Sequence, residues 1–400
     1  MPIPTPFHSK TSALCQSFRW KDWAGFAAVC SYDSCHEKEY FALRHAVGLI
    51  DVSPLFKYEI TGKDAGRFLS FLTVKDVEKL KINQVTYLCW CDDNGHIIDD
   101  GTVVRLDEHR YRLTSAEPSF SWMSRYNFGF DITIQDVTDS LCALAVQGPL
   151  SRALLNDVFE TTLLDNLRFF QGASLQKPFE LYITRTGYTG DLGFEIWTAS
   201  KNATKLWDLI FSKGSKYDLT PTGLDALDMA RIEAGFIMNG VDYFSAHHCL
   251  IDSRKSTPFE LGLGWCVQLH RETFVGKKAL LQEKQRGPQY QLIGLITNWD
   301  HLEKLYQPYG IPPQLPHGAW RTPIPIYNLS KEQVGYATSG TWSPLLKQNL
   351  ALATIQPEYA EPGTELLMEV TVEFERKQCL CKTSPLPFYN PPHKRSLPSS

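Results

Sequence analysis

This 400-residue chain lacks any apolar run approaching the roughly 18 residues that a membrane-crossing helix needs. Its opening, "MPIPTPFHSK", has neither the charged start nor the apolar centre of a secretion signal, so a cytoplasmic, reducing setting is expected. Charge of one sign is missing too. Lys+Arg 40 against Asp+Glu 44 leaves a net −4, and no basic run precedes the "HKR" near the end. That excludes the electrostatic footprint of a nucleic-acid or anionic-membrane binder and points to a small-molecule or protein partner. Ten cysteines are present, yet none shows the CxxC spacing of a zinc site. Cys89 with Cys91, and Cys379 with Cys381, lie in apolar strand-like runs and should pack as small hydrophobes. His247, His248 and Cys249 are consecutive, and consecutive residues rarely converge on one ion, so no metal is expected. The GxGxxG, GK[ST] and G-x-S-x-G signatures are absent as well, which argues against a nucleotide loop and a serine hydrolase.

What is present is α+β texture. "KYEIT" from Lys57 reads as a strand, "GKDAGRFLSFL" as a helix, and "VTYLCW" as a second strand. "DDNG" at 92–95 and "DEHR" at 107–110 are turn signals, so 85–114 should form a three-stranded antiparallel meander. "FELYITRTGYTGDLGFEIWT" reads as strand, glycine-rich turn, strand, while "ATKLWDLIFSKG" and "TGLDALDMARIEAG" read as helices stopped at Gly214 and Gly235. Beyond about residue 288 only short strand-like runs remain, around the proline-rich "YQPYGIPPQLPHGAWRTPIPIY". A separate all-β C-terminal domain fits, followed by a frayed tail over 391–400.

The middle strand of the meander carries two acids, Asp99 and Asp100, in "NGHIIDDGTVVRL". Strand alternation puts Asp100 on a face with Ile98, Thr102 and Val104, and Asp99 on the face with Arg105. Asp100 is therefore the candidate buried carboxylate and Asp99 the one turned to Arg105 or water. Two alternatives stand beside this: Asp100 bonded to backbone at a bend, or a bulge at Gly101 that swaps the faces. In "GYTGDLGFEIW" the glycines would let the turn approach a ligand closely. Tyr188 would offer a ring and hydroxyl, and Glu195 a planar acceptor for two parallel N–H donors, unless it serves a structural salt bridge. Arg231 falls on the inward face of its helix, where it would contact a ligand or pair with Asp228 three residues earlier.

Taken together, "GLIDVSPL" at 48, "NGHIIDDGTVVRL" at 94, "LAVQGPLSRALL" at 144, "RTGYTGDLGFEI" at 185, "ARIEAGFIMNGVD" at 230, "LGLGWCVQL" at 261 with "FVGKKAL", and "GYATSGTWSP" at 335 resemble the glycine-cleavage T-protein (aminomethyltransferase) family. The resemblance implies a three-domain cloverleaf around a central folate channel, with antiparallel sheets, helices and a barrel-like C-terminal domain. The implied division is 1–52 with 136–172 and 225–285; 53–135 with 173–224, carrying the acid pair and the pterin-binding loop; 286–390; and the tail. It also implies tetrahydrofolate as cofactor, Asp100 as the catalytic carboxylate, and Glu195, Tyr188, Tyr87, Arg231 and Trp265 around the cofactor.

Departures from the family pattern bear on the substrate. "DVSPL" stands where the T-protein reads "DVSHM", so Pro54 and Leu55 occupy the substrate side. The early "FAGWxxPxxY" becomes "WAGFAAVCSY", Leu227 replaces an arginine that helps hold folate, and Thr114 with Ser115 replace an asparagine. These changes favour a one-carbon (methyl) transferase or demethylase acting on a methylated small molecule. The alternative is an aminomethyltransferase docking a lipoylated carrier protein. A non-catalytic folate-binding relative would carry K-G-C-Y-x-G-Q-E, and "TFVGKKAL" lacks its cysteine and glutamine.

Overall fold

The computed structural model describes residues 1–398, so the final two tail positions lie outside the described residues. Three sheet systems dominate. The first is six-stranded, in the order Gly172–Leu175, Leu181–Thr184, Gly193–Ala199, Leu141–Gln147, Val47–Asp51, Leu219–Pro221. The second is five-stranded and contains the expected meander as Val85–Cys91, Ile97–Asp107 and Arg110–Ser115, flanked by Phe56–Thr61 and Thr133–Asp136. The third is a closed six-stranded barrel built from strands between Gln291 and Ser384. A small three-stranded sheet of Ile3–Pro4, Phe26–Ser31 and Arg19–Trp23 completes the N-terminal part.

Apolar alternation explains each core. Leu144 and Val146 share one face of the six-stranded sheet with Phe194 and Ile196, and the helices Ser151–Val158 and Ala203–Gly214 cover that face with Leu154, Leu206 and Trp207. Phe68, Leu69 and Leu72 of the helix Ala65–Leu72 cover Tyr58, Trp90 and Val103 of the five-stranded sheet. Ile293, Leu295, Ile326 and Ala353 belong to the apolar core of the barrel. Cys89, Cys91, Cys379 and Cys381 are all fully buried, as the CxC reading expected.

Strand pairing corrects the expected grouping of 173–224 with 53–135. The ladder from Cys142↔Thr198 to Gln147↔Gly193 ties this hairpin to Leu141–Gln147, and Leu144↔Asp51 extends it to Val47–Asp51. The jointly buried face above is the physical reason. The tail also differs from expectation. Arg185 is almost completely buried, and its guanidinium donates to the carbonyls of Leu167 at 3.0 Å, Lys394 at 2.9 Å and Ser396 at 2.7 Å. Asp191 accepts from Tyr389 at 2.8 Å and meets His393 at 2.6 Å. The segment through Ser396 is thus strapped onto the body rather than frayed. Among the described residues no helix is long and apolar enough to cross a membrane.

Candidate active site

The strand Ile97–Asp107 pairs on both sides, with Cys89 opposite Asp100 and Ser115 opposite Gly101. Gly101 is required by the close approach of the next strand, because a Cβ there would lie 2.0 Å from the Thr114 carbonyl oxygen. Asp99 is the fully buried acid. Its Oδ2 accepts from the N–H groups of Ala116 at 3.1 Å and Glu117 at 2.9 Å, and its Oδ1 from the Asn239 amide at 2.9 Å, with the Tyr243 hydroxyl oxygen 3.3 Å away. This reverses the expected assignment. Arg105 turns instead to the carbonyls of Leu80 at 2.8 Å and Glu108 at 2.9 Å, while the 116–117 turn and the 239–243 loop fold over Asp99.

Asp100 is only partly buried and faces a cavity of about 1320 Å³. Tyr87 donates to its Oδ2 at 2.8 Å and Tyr243 donates to its Oδ1. Each oxygen therefore has one phenol donor and keeps acceptor capacity toward the cavity. Burial raises both carboxyls above the ordinary aspartate range; Asp100's charge pushes Asp99 further, whereas the two hydroxyls pull Asp100 back. Burial and the Asp100 charge hold both phenols well above the usual tyrosine value, so they remain donors.

Across the same cavity stands Glu195, on the strand Gly193–Ala199. Its Oε2 accepts from Thr186 at 2.6 Å and Thr184 at 3.4 Å, while Oε1 has no protein donor among the described residues. Burial raises its carboxyl, against the pull of the two hydroxyls. Tyr188 stacks on Phe236 with ring centroids 5.6 Å apart and donates its hydroxyl to the Ile237 carbonyl. Gly187 and Gly193 make room for the Gln147 amide, which a Cβ at either would meet at 2.0 or 2.1 Å, and Gly187 and Gln147 both line the cavity. The arrangement can bind a ring that presents paired N–H donors to Glu195 and can hold or move a proton at Asp100.

A family model described as the GCVT N-terminal domain matches residues 7–271, and the glycine cleavage T-protein C-terminal barrel domain matches residues 314–390. The chain belongs to the glycine cleavage T-protein family. Among its relatives, the aminomethyltransferase of Thermoanaerobacter sp. (strain X514) is 34% identical over 353 residues, covering 86% of this chain and 88% of that one. The aminomethyltransferase of Halalkalibacterium halodurans is 31% identical over 374 residues, covering 92% and 93%. The crystal structure of glycine cleavage system aminomethyltransferase T from Bartonella henselae superposes with a TM-score of 0.83 at 25% identity, covering 100% of both chains. This T-protein-family chain is accordingly an enzyme of the one-carbon group transferase class.

Of the residues expected around the site, the fold brings Asp100, Glu195, Tyr188, Tyr87, Trp265 and Leu55 into the lining of one cavity. Trp265 is 65% exposed and stacks on Tyr87 at 6.0 Å. Pro54 is buried behind Leu55 and does not line the cavity. Arg231 does not line it either. It is fully buried, with Nε on Asp228 at 2.7 Å and Nη1 on Asp242, so the local pairing with Asp228 is the one realised. Sequence reasoning missed Tyr243 and Asn239, which come from a loop that only the tertiary fold brings to the acid pair, and Thr186, which lies in the same hairpin as Glu195 and could have been found from the strand pairing. Among the described residues no cluster of three His, Cys, Asp or Glu side chains is placed to hold a metal.

Proposed function

We propose that this member of the T-protein family is a tetrahydrofolate-dependent aminomethyltransferase. The carrying observation is Asp100, held by two phenols on the wall of a cavity that also presents the open Oε1 of Glu195. The similarity to aminomethyltransferases of Thermoanaerobacter and Halalkalibacterium supports aminomethyl transfer over other one-carbon chemistry. Bound tetrahydrofolate would supply the nitrogens that accept the one-carbon unit. Glu195 would hold the pterin's 2-amino and N3–H edge, and Tyr188 and Phe236 would wall the ring. Asp100 would orient the reacting nitrogens, take or return a proton, and stabilise positive charge as it develops there. Tyr87 and Tyr243 position the carboxylate and, by donating to it, favour its charged form against the opposing effect of burial.

The second reading is methyl transfer from a methylated small molecule. It is favoured by Leu55, which lines the cavity beside Trp23, Leu224 and Leu227 and gives the expected substrate side an apolar wall. The two are separated by donor. Calorimetry with tetrahydrofolate should show binding in the wild type, weakened by about 1.5–3 kcal/mol in Glu195→Gln for loss of a charged two-point contact. Asp100→Asn should bind but lose turnover by about a hundredfold or more. Absence of binding in the wild type defeats both readings. Methylene-tetrahydrofolate and ammonia formed from an aminomethylated lipoyl carrier would support the first, whereas product formed only from methylated amines would replace it with the second.

A further inference from the structure

Asp100 and Glu195 lie in the interior of the cavity, while sectors of its lining that reach solvent carry cationic side chains together with the carboxylates Asp22 and Glu117. One sector comprises Lys21, from the edge strand Arg19–Trp23, and Arg321, from the loop ahead of the barrel strand Ile324–Tyr327. Arg321 donates Nε to Asp228 Oδ2 at 2.6 Å, and its Nη groups have no protein acceptor among the described residues. Asp228 is in turn locked by Arg231, whose other partner is Asp242. Asp228 and Asp242 thus balance Arg231 and Arg321. The Lys21 ammonium has no ion-pair partner among the described residues: Asp225 pairs with Arg19 at 2.8 Å, and the neighbouring Asp22 accepts the Gly25 N–H at 2.8 Å and makes no ion pair with Lys21. Burial and the nearby Arg321 charge lower the Lys21 pKa, as expected of two cations crowding one sector.

We infer that Arg321 and Lys21 form an anion-binding subsite that takes the glutamyl carboxylates of the folate. The inference rests on the folate reading above. A guanidinium pinned through Nε presents its outer N–H groups as a fixed fork, which suits a planar carboxylate and loses little entropy on binding. A ligand with a two-donor ring and an anionic tail then meets acids in the interior and cations at the edge. The other basic sector, Lys394 and Arg395 on the strapped tail, fits this task less well. The Lys394 ammonium lies 4.8 Å over the Phe236 ring, and burial lowers its pKa to about 8. Arg395 is solvent-exposed and lies 5.8 Å from the Phe169 ring.

The test is a ligand-by-protein cycle using tetrahydrofolate and its glutamyl diamide, whose two carboxylates are replaced by neutral carboxamides. Arg321→Gln should weaken tetrahydrofolate about tenfold to a hundredfold, as loss of a charge-assisted contact does, and change diamide affinity by less than about twofold. Lys21→Gln, at an exposed position that tolerates replacement, should weaken tetrahydrofolate by about threefold to tenfold with the diamide again unmoved. Added salt should weaken tetrahydrofolate binding in the wild type and much less in Arg321→Gln. Equal losses for both ligands, or a carboxylate-dependent loss in Lys394→Gln or Arg395→Gln but in neither Arg321→Gln nor Lys21→Gln, overturn the subsite. If the wild type binds neither ligand, the folate reading itself fails and carries this inference with it. Binding of both ligands with equal affinity rejects the subsite alone.

Discussion

At the scale of single residues, the acid pair divides its labour by environment. Asp99 is a fastener, since it satisfies two backbone donors and an amide at the junction of three chain segments. Replacing it by alanine leaves those buried donors without an acceptor and should cost about 2–4 kcal/mol, read as a lower urea midpoint at unchanged slope. Asp100 works at the cavity, and its raised pKa has a sign that can be checked. As pH falls through that raised value, the carboxylate takes a proton and loses acceptor capacity, so the acid limb of kcat should lie above the ordinary aspartate value of about 3.9. Tyr243→Phe removes a hydroxyl that favours the charged form and should move the limb to higher pH. A limb that stays put or moves down contradicts this assignment. Strand parity selected Asp100 as the acid of interest, yet it misjudged which acid is buried. Parity reports the face of the strand and not what later folds over it.

Single elements show the same split between local and distant causes. The meander was legible because its turns and its period-two alternation lie within one short stretch, and the structure has it as Val85–Cys91, Ile97–Asp107 and Arg110–Ser115. The helix "ATKLWDLIFSKG" was legible for the same reason and ends at Gly214 as read. The tail was not, because its order depends on Arg185, some two hundred residues earlier in the chain. Arg185→Met should release it. Hydrogen–deuterium exchange should rise across 389–396, with a global loss of about 1–3 kcal/mol for the missing carbonyl contacts. Unchanged exchange there would show that Tyr389, His393 and Asp191 suffice to hold the strap.

For the molecule as a whole, buried polar side chains as well as apolar ones dock the barrel. Glu233, at the end of the helix Leu224–Glu233, receives both Nε and Nη2 of Arg44, at 2.9 and 2.6 Å, and the hydroxyls of Tyr40 and Ser343. One carboxylate therefore joins the helix Glu37–His45, its own helix and the barrel strand Gln333–Ser343. Asp242 repeats the device with Arg231, Thr338 and Ser339. Glu233→Ala strands a buried guanidinium and should cost about 3–5 kcal/mol. Calorimetry should show a drop in Tm of several degrees, and a change below about 2 °C would mean that the network is not what holds the barrel on.

The amino-acid order alone determined the family, the α+β texture, the meander and the set of side chains worth placing around a ligand. These follow from motif spacing and from apolar periods that operate over a few residues. Tertiary structure decided which acid is buried, that Arg231 is structural, that Glu195 belongs to the six-stranded sheet, and that Tyr243, Asn239 and Arg321 join the cavity system. Burial and charge pairing are properties of what meets in space. At the "DD" step of "NGHIIDDGTVVRL", Tyr87 comes with the meander's own neighbouring strand, whereas Asn239 and Tyr243 arrive from some 140 residues away, and no local pattern records their arrival.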